Sequence, residues 1–240
     1  KSYLYLASLF VILLTFPLTA QVRLPRLISD GMVLQRGTEL KIWGWAAPGE
    51  NVNVEFAGKQ YSTITDDSGN WMIMLPPMEA GGPYIMTLTA SNKLTVSDIL
   101  IGDVWLCSGQ SNMHFQMKSV ENAEKEIAEA NQPAVRFFTV EHQFVQKAAE
   151  DVRGAWKPVS PQTAADCSAV ACYFGMALQP KIGVPLGLIV SSVGGTRIET
   201  WMRPETLAAT GEGTALIEKW KAVSPEEFEK IGTTYREFQR

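Results

Sequence analysis

The hydrophobic pattern of this chain changes near Asp98, and that change constrains the fold more than any other feature. Before Asp98, short segments alternate apolar and polar residues, as residues 52–56 do, which is the period of a half-buried strand. After it, residues 99–107 form an almost continuous apolar run, typical of a strand buried on both faces. The sequence therefore predicts two regions of different architecture.

The first region, residues 21–97, predicts a small β-sandwich. Its strand-like segments are short and are separated by turn signals such as Asp-Asp-Ser-Gly-Asn at residues 66–70, with no helical pattern between them. In one of these segments Leu40, Ile42 and Gly44 share a face. We expect strands at residues 38–45, 52–56, 60–65, 71–75, 84–90 and 93–97.

The second region, residues 98–240, predicts an α/β domain with a parallel sheet, because strand-like and helical segments alternate along it. We expect buried strands at residues 99–107, 134–140 and 186–191. Residues 168–178 predict a helix. A second helix is predicted across residues 117–130, because apolar residues recur there at helical spacing.

The first 20 residues predict a secretory signal. A basic residue, a short apolar core over residues 3–18 and the small residue Ala20 follow the layout of such signals. The run is shorter than the roughly 20 residues that a membrane-spanning helix needs. We expect cleavage after Ala20 and a periplasmic or extracellular protein without membrane contact; an uncleaved anchor is the alternative.

Charge and cysteine content exclude several classes of protein. The 240 residues carry 21 Lys and Arg against 25 Asp and Glu, and a mildly acidic chain without a basic block is a poor nucleic-acid binder. Three cysteines, Cys107, Cys167 and Cys172, form no disulfide framework and no CxxC metal site. We expect free, buried thiols, with Cys167 and Cys172 on one helix and pointing apart.

Two polar segments follow predicted buried strands, where ligands bind in open parallel sheets. In the first, residues 107–113, Ser111 lies on a strand-to-helix turn near a helix N-terminus, which favours developing negative charge. A simple helix cap by Ser111 explains the same pattern. In the second, Gly194 and Gly195 offer backbone N–H groups suited to an oxyanion hole. A glycine turn followed by a capping box of Thr196 and Glu199 is the alternative there.

Together these segments resemble the sialate O-acetylesterase family of the SGNH (GDSL-like) hydrolases. Residues 102–113, Gly-Asp-Val-Trp-Leu-Cys-Ser-Gly-Gln-Ser-Asn-Met, resemble its serine block. Residues 168–174 are similar to its following helix and residues 185–202 to its glycine block. Short segments between residues 34 and 46 resemble the β-domain that precedes the catalytic domain in bacterial members. The resemblance covers residues 22–205.

The resemblance implies an SGNH-type (flavodoxin-like) parallel sheet and a serine esterase that removes O-acetyl groups from carbohydrates, sialic acids in the named members, without a cofactor or metal. It implies that Ser111 is the nucleophile. The N–H groups of Ser111 and of a glycine, Gly195 in preference to Gly194, would hold the oxyanion, and Gln110 would belong to the substrate-binding group.

One part of the family pattern is missing from this sequence. The family takes its base from a late Asp-x-His block and adds a Gln-Gly-Glu block, and neither is present. His114 and His142 both lie near predicted strand ends, but the resemblance places no base at either position. We therefore expect the chain to hold the front part of the esterase domain and to be inactive alone.

Two other functions remain open from the sequence. An acetylxylan-type esterase would use the same chemistry on plant polysaccharide. A non-catalytic carbohydrate-binding protein would stack sugars on Trp43, Trp45 and Trp71, although core packing explains these residues more simply. Arg197 would suit a sialate carboxylate, but a solvated or ion-paired arginine is the simpler interpretation.

Overall fold

The computed structural model describes residues 21–145 and 147–238, so the expected signal segment lies outside the described residues. The strands are β1 (Val33–Gln35), β2 (Leu40–Trp45), β3 (Asn51–Phe56), β4 (Lys59–Ile64), β5 (Asn70–Leu75), β6 (Gly81–Thr89), β7 (Lys93–Gly109), β8 (Gln132–Thr139), β9 (Trp156–Val159) and β10 (Leu186–Ser192). The α-helices are α1 (Ser111–His114), α2 (Ala123–Glu129), α3 (Ala169–Ile182), α4 (Pro204–Ala208), α5 (Gly211–Lys221) and α6 (Pro225–Phe238).

An eight-stranded sheet organises the fold, in the order β4-β3-β6-β7-β10-β8-β9, with β1 pairing separately to β7. β10 lies parallel between β7 and β8, as predicted for the second region. β9 is antiparallel to β8 at the edge. The prediction of an α/β fold with a parallel sheet is confirmed.

β7 is 17 residues long and takes part in both regions. Its first half is antiparallel to β6 and its second half is parallel to β10. The sequence predicted two strands here, divided at Asp98, and that division is wrong. Asp98 has a left-handed φ of 56° but does not end the strand, and Arg136 on β8 forms an ion pair with it.

Arg136 is buried and ties three segments together. Its Nη2 lies 2.8 Å from Asp98 Oδ1, and its Nη1 donates to the carbonyl oxygens of Gly31, at 2.8 Å, and of Asp98. A guanidinium presents five donors in a fixed fork, so it satisfies both carbonyls and the carboxylate at once.

The first region packs a two-stranded sheet, β2 with β5, over the larger sheet. The inward residues Leu40 and Ile42 of β2 and Ile73 of β5 share one core with Val54 of β3 and Leu88 of β6. The predicted face of β2 is confirmed. A separate small β-sandwich is not confirmed, since β7 continues into the second region. The boundary between two domains near Asp98 stays a prediction.

The tryptophans of this region have packing roles. Trp71 is 3% exposed in the core. On the outer face of β2, the Arg23 guanidinium lies 4.2 Å from the centre of the Trp45 ring and Lys41 Nζ lies 5.8 Å from that of Trp43, within the range of cation–π contacts.

The helix predicted over residues 117–130 is wrong. Residues 117–119 form a 3-10 turn and α2 begins only at Ala123. Asn122 adopts a left-handed φ of 57° between them. The Met117 N–H donates to Cys167 O, and Met117 and Ala130 remain buried although the helix between them is interrupted.

The three cysteines are free and buried, as predicted. The expected arrangement is wrong, however, because Cys167 precedes α3 and only Cys172 lies on it. A hydrogen bond with the Cys172 thiol and burial raise the pKa of the Cys167 thiol. Among the residues that the structure describes, no helix is long and apolar enough to cross a membrane.

Candidate active site

Parallel pairing of β7 and β10 brings the serine and glycine segments side by side. In the register of this pair Ser191 lies opposite Ser108 and Ser192 lies opposite Gly109, so the two strands end together. Beyond the last pair, the Val193 N–H donates to Gly109 O at 3.2 Å. The sequence expectation that these two strand ends meet is confirmed.

Ser111 is exposed at the start of α1. The chain turns sharply before it, at Gly109 with a φ of 150°, a conformation that glycine adopts readily. Gln110, not Ser111, is the capping residue, since its side chain accepts a hydrogen bond from Ser111 N. α1 has only four residues, so the helix dipole expected beside Ser111 is small.

Gln110 engages both polar groups of Ser111. Its Oε1 accepts a hydrogen bond of 2.7 Å from Ser111 Oγ and one of 3.1 Å from Ser111 N. An amide oxygen is a weak base, so this contact orients the hydroxyl without activating it. It also occupies the N–H group that the sequence assigned to an oxyanion hole.

Gly194 lies directly against the serine. A Cβ atom built on Gly194 would stand 3.8 Å from both Cα and Oγ of Ser111, which is ordinary van der Waals contact. Gly195 has a left-handed φ of 75°, and a Cβ there would meet nothing within 4 Å. Because Gly194 has no side chain, the space over the Ser111 hydroxyl stays open. Gly195 instead allows the left-handed backbone turn.

Thr196 and Trp201 stiffen the segment after the glycines. Thr196 Oγ1 donates to Val193 O at 2.8 Å and accepts from Trp201 Nε1 at 2.9 Å. The predicted capping box of Thr196 and Glu199 is wrong, because Arg197 precedes the 3-10 turn at residues 198–201 and no side chain caps it.

Neither histidine is hydrogen-bonded to Ser111. Both rings contact the same backbone oxygen, Ser192 O, at 3.3 Å from His114 Nδ1 and 2.7 Å from His142 Nε2. Sequence reasoning placed both residues near strand ends but did not predict this shared acceptor. The only available signal was that His114 follows the serine segment and His142 follows the strand β8.

Two cavities flank this arrangement. One, of about 310 Å³, surrounds Ser111 and reaches Val170 on α3. The other, of about 520 Å³, lies beyond the end of β10 and is lined by residues that include His142, Ser192, Thr196, Thr200 and Trp201. Within the described ranges, no group of three or more His, Cys, Asp or Glu residues is placed to hold a metal ion.

Comparison with known sequences identifies this arrangement. A sequence model of the carbohydrate esterase family described as sialic acid-specific acetylesterase matches residues 101–231, more than half of the 240-residue chain. The chain belongs to this family. The matched residues include both strand ends, Ser111 and Gly194.

Relatives of this acetylesterase family extend the match. Sialate O-acetylesterases of mouse and human are each 37% identical to the chain over 205 residues, which is 77% of it. A carbohydrate acetylesterase from Xanthomonas citri of known structure is 35% identical, with a TM-score of 0.76 over 78% of the chain. The chain spans only 38% of the mouse protein, 39% of the human protein and 44% of the X. citri chain.

Proposed function

We propose that this chain is part of a serine esterase that removes O-acetyl groups from carbohydrates, with acetylated sialic acids as its substrates. The observation that carries the proposal is the position of Gly194 beside Ser111 at the ends of two paired parallel strands, where a Cβ at Gly194 would stand 3.8 Å from Ser111 Oγ, in a chain of the acetylesterase family. The names of the mouse and human relatives supply the substrate class.

The chemistry is acyl transfer through Ser111. Its Oγ attacks the acetyl carbonyl, the ester C–O bond breaks as the sugar alcohol leaves, and water then releases acetate from the acyl-serine. Backbone N–H groups of Ser111 and of Gly194 or Gly195 stabilise the oxyanion. Gln110 must first turn away, because its Oε1 accepts from both Ser111 N and Oγ.

A general base must come from elsewhere. Ser111 Oγ donates to Gln110, and neither imidazole of the described chain is hydrogen-bonded to Ser111. A serine without a base reacts slowly. We therefore propose that a group other than His114 and His142 supplies the base, and that the described residues alone have little activity.

Acetate release from an O-acetylated sialic acid tests the proposed function. The full-length protein is expected to release acetate, and Ser111→Ala is expected to abolish release without changing the folded spectrum. The matched control is Ser108→Ala, since Ser108 lies three residues before Ser111, near the end of β7. Release that survives in Ser111→Ala would show that Ser111 is not the nucleophile.

Arg197 supports sialic acid over a neutral sugar. Arg197 is exposed and follows the glycine segment closely. No ion pair is found for its guanidinium among the described side chains. A free guanidinium binds a carboxylate in a bidentate way, and sialic acid carries one whereas xylan lacks it at the acetylated ring. Arg197→Gln is expected to raise KM for acetylated sialic acid about tenfold, the size of one charge-assisted hydrogen bond. KM for an acetylated xylo-oligosaccharide should not change, and equal losses on both substrates would contradict this role.

We also propose that the protein is exported. The support is the basic and apolar pattern of residues 1–20, which is the layout of a secretory signal. N-terminal sequencing of the mature protein is expected to begin at Gln21, and an N-terminus at or before residue 1 would contradict the proposal.

A further inference from the structure

One backbone carbonyl at the site accepts from two imidazoles that belong to different elements. Ser192 O, at the end of β10, lies 3.3 Å from Nδ1 of His114 on the serine helix α1. It also lies 2.7 Å from Nε2 of His142, on the segment that follows β8. The two ring centres are 5.0 Å apart and the rings are tilted by 43°, so the two imidazoles are neighbours at this oxygen.

These contacts fix the protonation of both rings. A carbonyl oxygen can only accept, and its two lone pairs allow two donors. His114 must therefore carry its proton on Nδ1, and His142 must carry its proton on Nε2. In their neutral forms the two histidines are opposite tautomers, each set by the same oxygen.

The same peptide group is held at its other end by the serine loop. The Val193 N–H, in the peptide bond that contains Ser192 O, donates to Gly109 O at 3.2 Å. Gly109 lies two residues before Ser111, and Gly194 follows Val193. The peptide that leads into the glycine turn is thus bound to the serine loop, the serine helix and the segment after β8.

We propose that His114 and His142 are positioning residues that clamp the Ser192–Val193 peptide and so set the glycine turn against Ser111. This inference rests on the proposed function for its catalytic meaning, but not for its geometry. A bonded carbonyl fixes the plane of its peptide, and that plane determines where Gly194 begins. The approach of 3.8 Å between the Gly194 Cβ position and Ser111 Oγ then depends on both rings.

Nitrogen-15 spectroscopy tests the clamp directly, because the chain contains only two histidines. The 240-residue protein without a histidine tag would be labelled on its imidazoles and measured near pH 8, above the usual histidine pKa of about 6.5. One ring is expected as the Nδ1–H tautomer, assigned to His114 by its loss in His114→Asn, and the other as Nε2–H. Two rings of the same tautomer, or tautomers averaged by exchange, would overturn the clamp.

Amide and leucine replacements at each histidine add a rescue experiment. An asparagine amide places its nitrogen near the position of Nδ1, and a glutamine amide near that of Nε2. His114→Asn and His142→Gln should therefore keep the contact, whereas His114→Leu and His142→Leu should lose it. Hydrogen exchange of the Val193 amide is expected to accelerate about tenfold in each leucine variant, as for one lost hydrogen bond. Exchange should stay near the parent rate in the amide variants.

The amide of Leu188, in the middle of β10, is the internal control and should exchange at the parent rate in all four variants. Unchanged Val193 exchange in both leucine variants would overturn the clamp, as would equal acceleration at Leu188. A different result would contradict the proposed function alone. A full-length protein that releases no acetate, with both tautomers as expected, contradicts the esterase and leaves the clamp intact.

Discussion

Gly194 and Gly195 are neighbours in the sequence but exclude a side chain for different reasons. At Gly194 a methyl group would fit at ordinary contact distance but would stand 3.8 Å from Ser111 Oγ. At Gly195 the surroundings are open, and the constraint is the φ of 75°, which costs a non-glycine residue roughly 1–3 kcal/mol. A side chain at residue 194 would therefore stand beside Ser111, whereas a side chain at residue 195 would strain the turn.

Alanine at each glycine separates these roles. Gly194→Ala is expected to leave the free energy of unfolding within about 0.5 kcal/mol of the parent, as for a substitution without strain. Its acetate release should fall at least about tenfold, because the methyl group occupies the space over the hydroxyl. Gly195→Ala should instead lower the free energy of unfolding by roughly 1 kcal/mol or more. Urea unfolding measures the free energy of unfolding and the acetate assay measures activity. A large loss of stability in Gly194→Ala, with full activity and a smaller loss in Gly195→Ala, would contradict these roles.

At the scale of single elements, the turn before β5 shows how a sequence signal becomes a stabilising contact. Asp66 Oδ1 accepts from the Asn70 N–H at 2.8 Å and from the Ser68 N–H at 2.9 Å. These bonds, that from Asn70 foremost, lower the pKa of Asp66 below its ordinary value. The ionised carboxylate is therefore the form that holds the turn.

The depressed pKa of Asp66 predicts a pH dependence of stability. A group whose pKa is lower in the folded state stabilises that state above its ordinary pKa. The contribution is lost as the pH falls from that value through the depressed one. Asp66→Ala is expected to be less stable than the parent at pH 7, with the gap closing below about pH 4. Asp67→Ala, one residue away in the same turn, is the control. A gap that stays constant down to pH 2 would contradict the role of the ionised carboxylate.

Sequence reasoning worked best where the deciding interactions are local. The alternating burial of β3 and the turn at Asp66 follow from neighbouring residues, and the meeting of Ser111 with the glycine segment follows from the general rule for parallel strand ends. The continuity of β7 does not, because its two parts pair with different strands, β6 and β10, that are far apart in the chain. The break before α2 does not either, because it occurs where Asn122 adopts a left-handed φ of 57°. The shared contact of His114 and His142 with Ser192 O was not predicted for the same reason, since it joins three segments far apart in the chain.

For the whole molecule, Arg136 connects the two regions. Its side chain is 7% exposed, and it joins β8 to β7 at Asp98 and to the carbonyl of Gly31. β7 carries the serine loop at its far end, so the same strand that Arg136 contacts at Asp98 also leads to Ser111. The stability of the first region and the placement of the site are linked through one strand.

Loss of Arg136 is therefore expected to destabilise the whole chain. Arg136→Met leaves the partly buried carbonyl oxygens of Gly31 and Asp98 without this donor, and an unsatisfied group removed from water costs about 1–3 kcal/mol. We expect the free energy of unfolding in urea to fall by roughly 2–4 kcal/mol. Lys221→Met, the control, removes an exposed ion pair with Glu218 and should change the free energy of unfolding by less than about 1 kcal/mol. Equal effects of the two substitutions would contradict the connecting role of Arg136.

The central claim is that the ends of β7 and β10 together form an acyl-transfer site on Ser111. A crystal structure of the full-length protein after reaction with a fluorophosphonate tests it most directly. The phosphonyl group is expected on Ser111 Oγ, with its oxygen about 3 Å from the backbone N–H groups of Ser111 and of Gly194 or Gly195, and with Gln110 turned away. A protein that stays unlabelled at Ser111, or an adduct whose oxygen points away from the glycine segment, would contradict the claim.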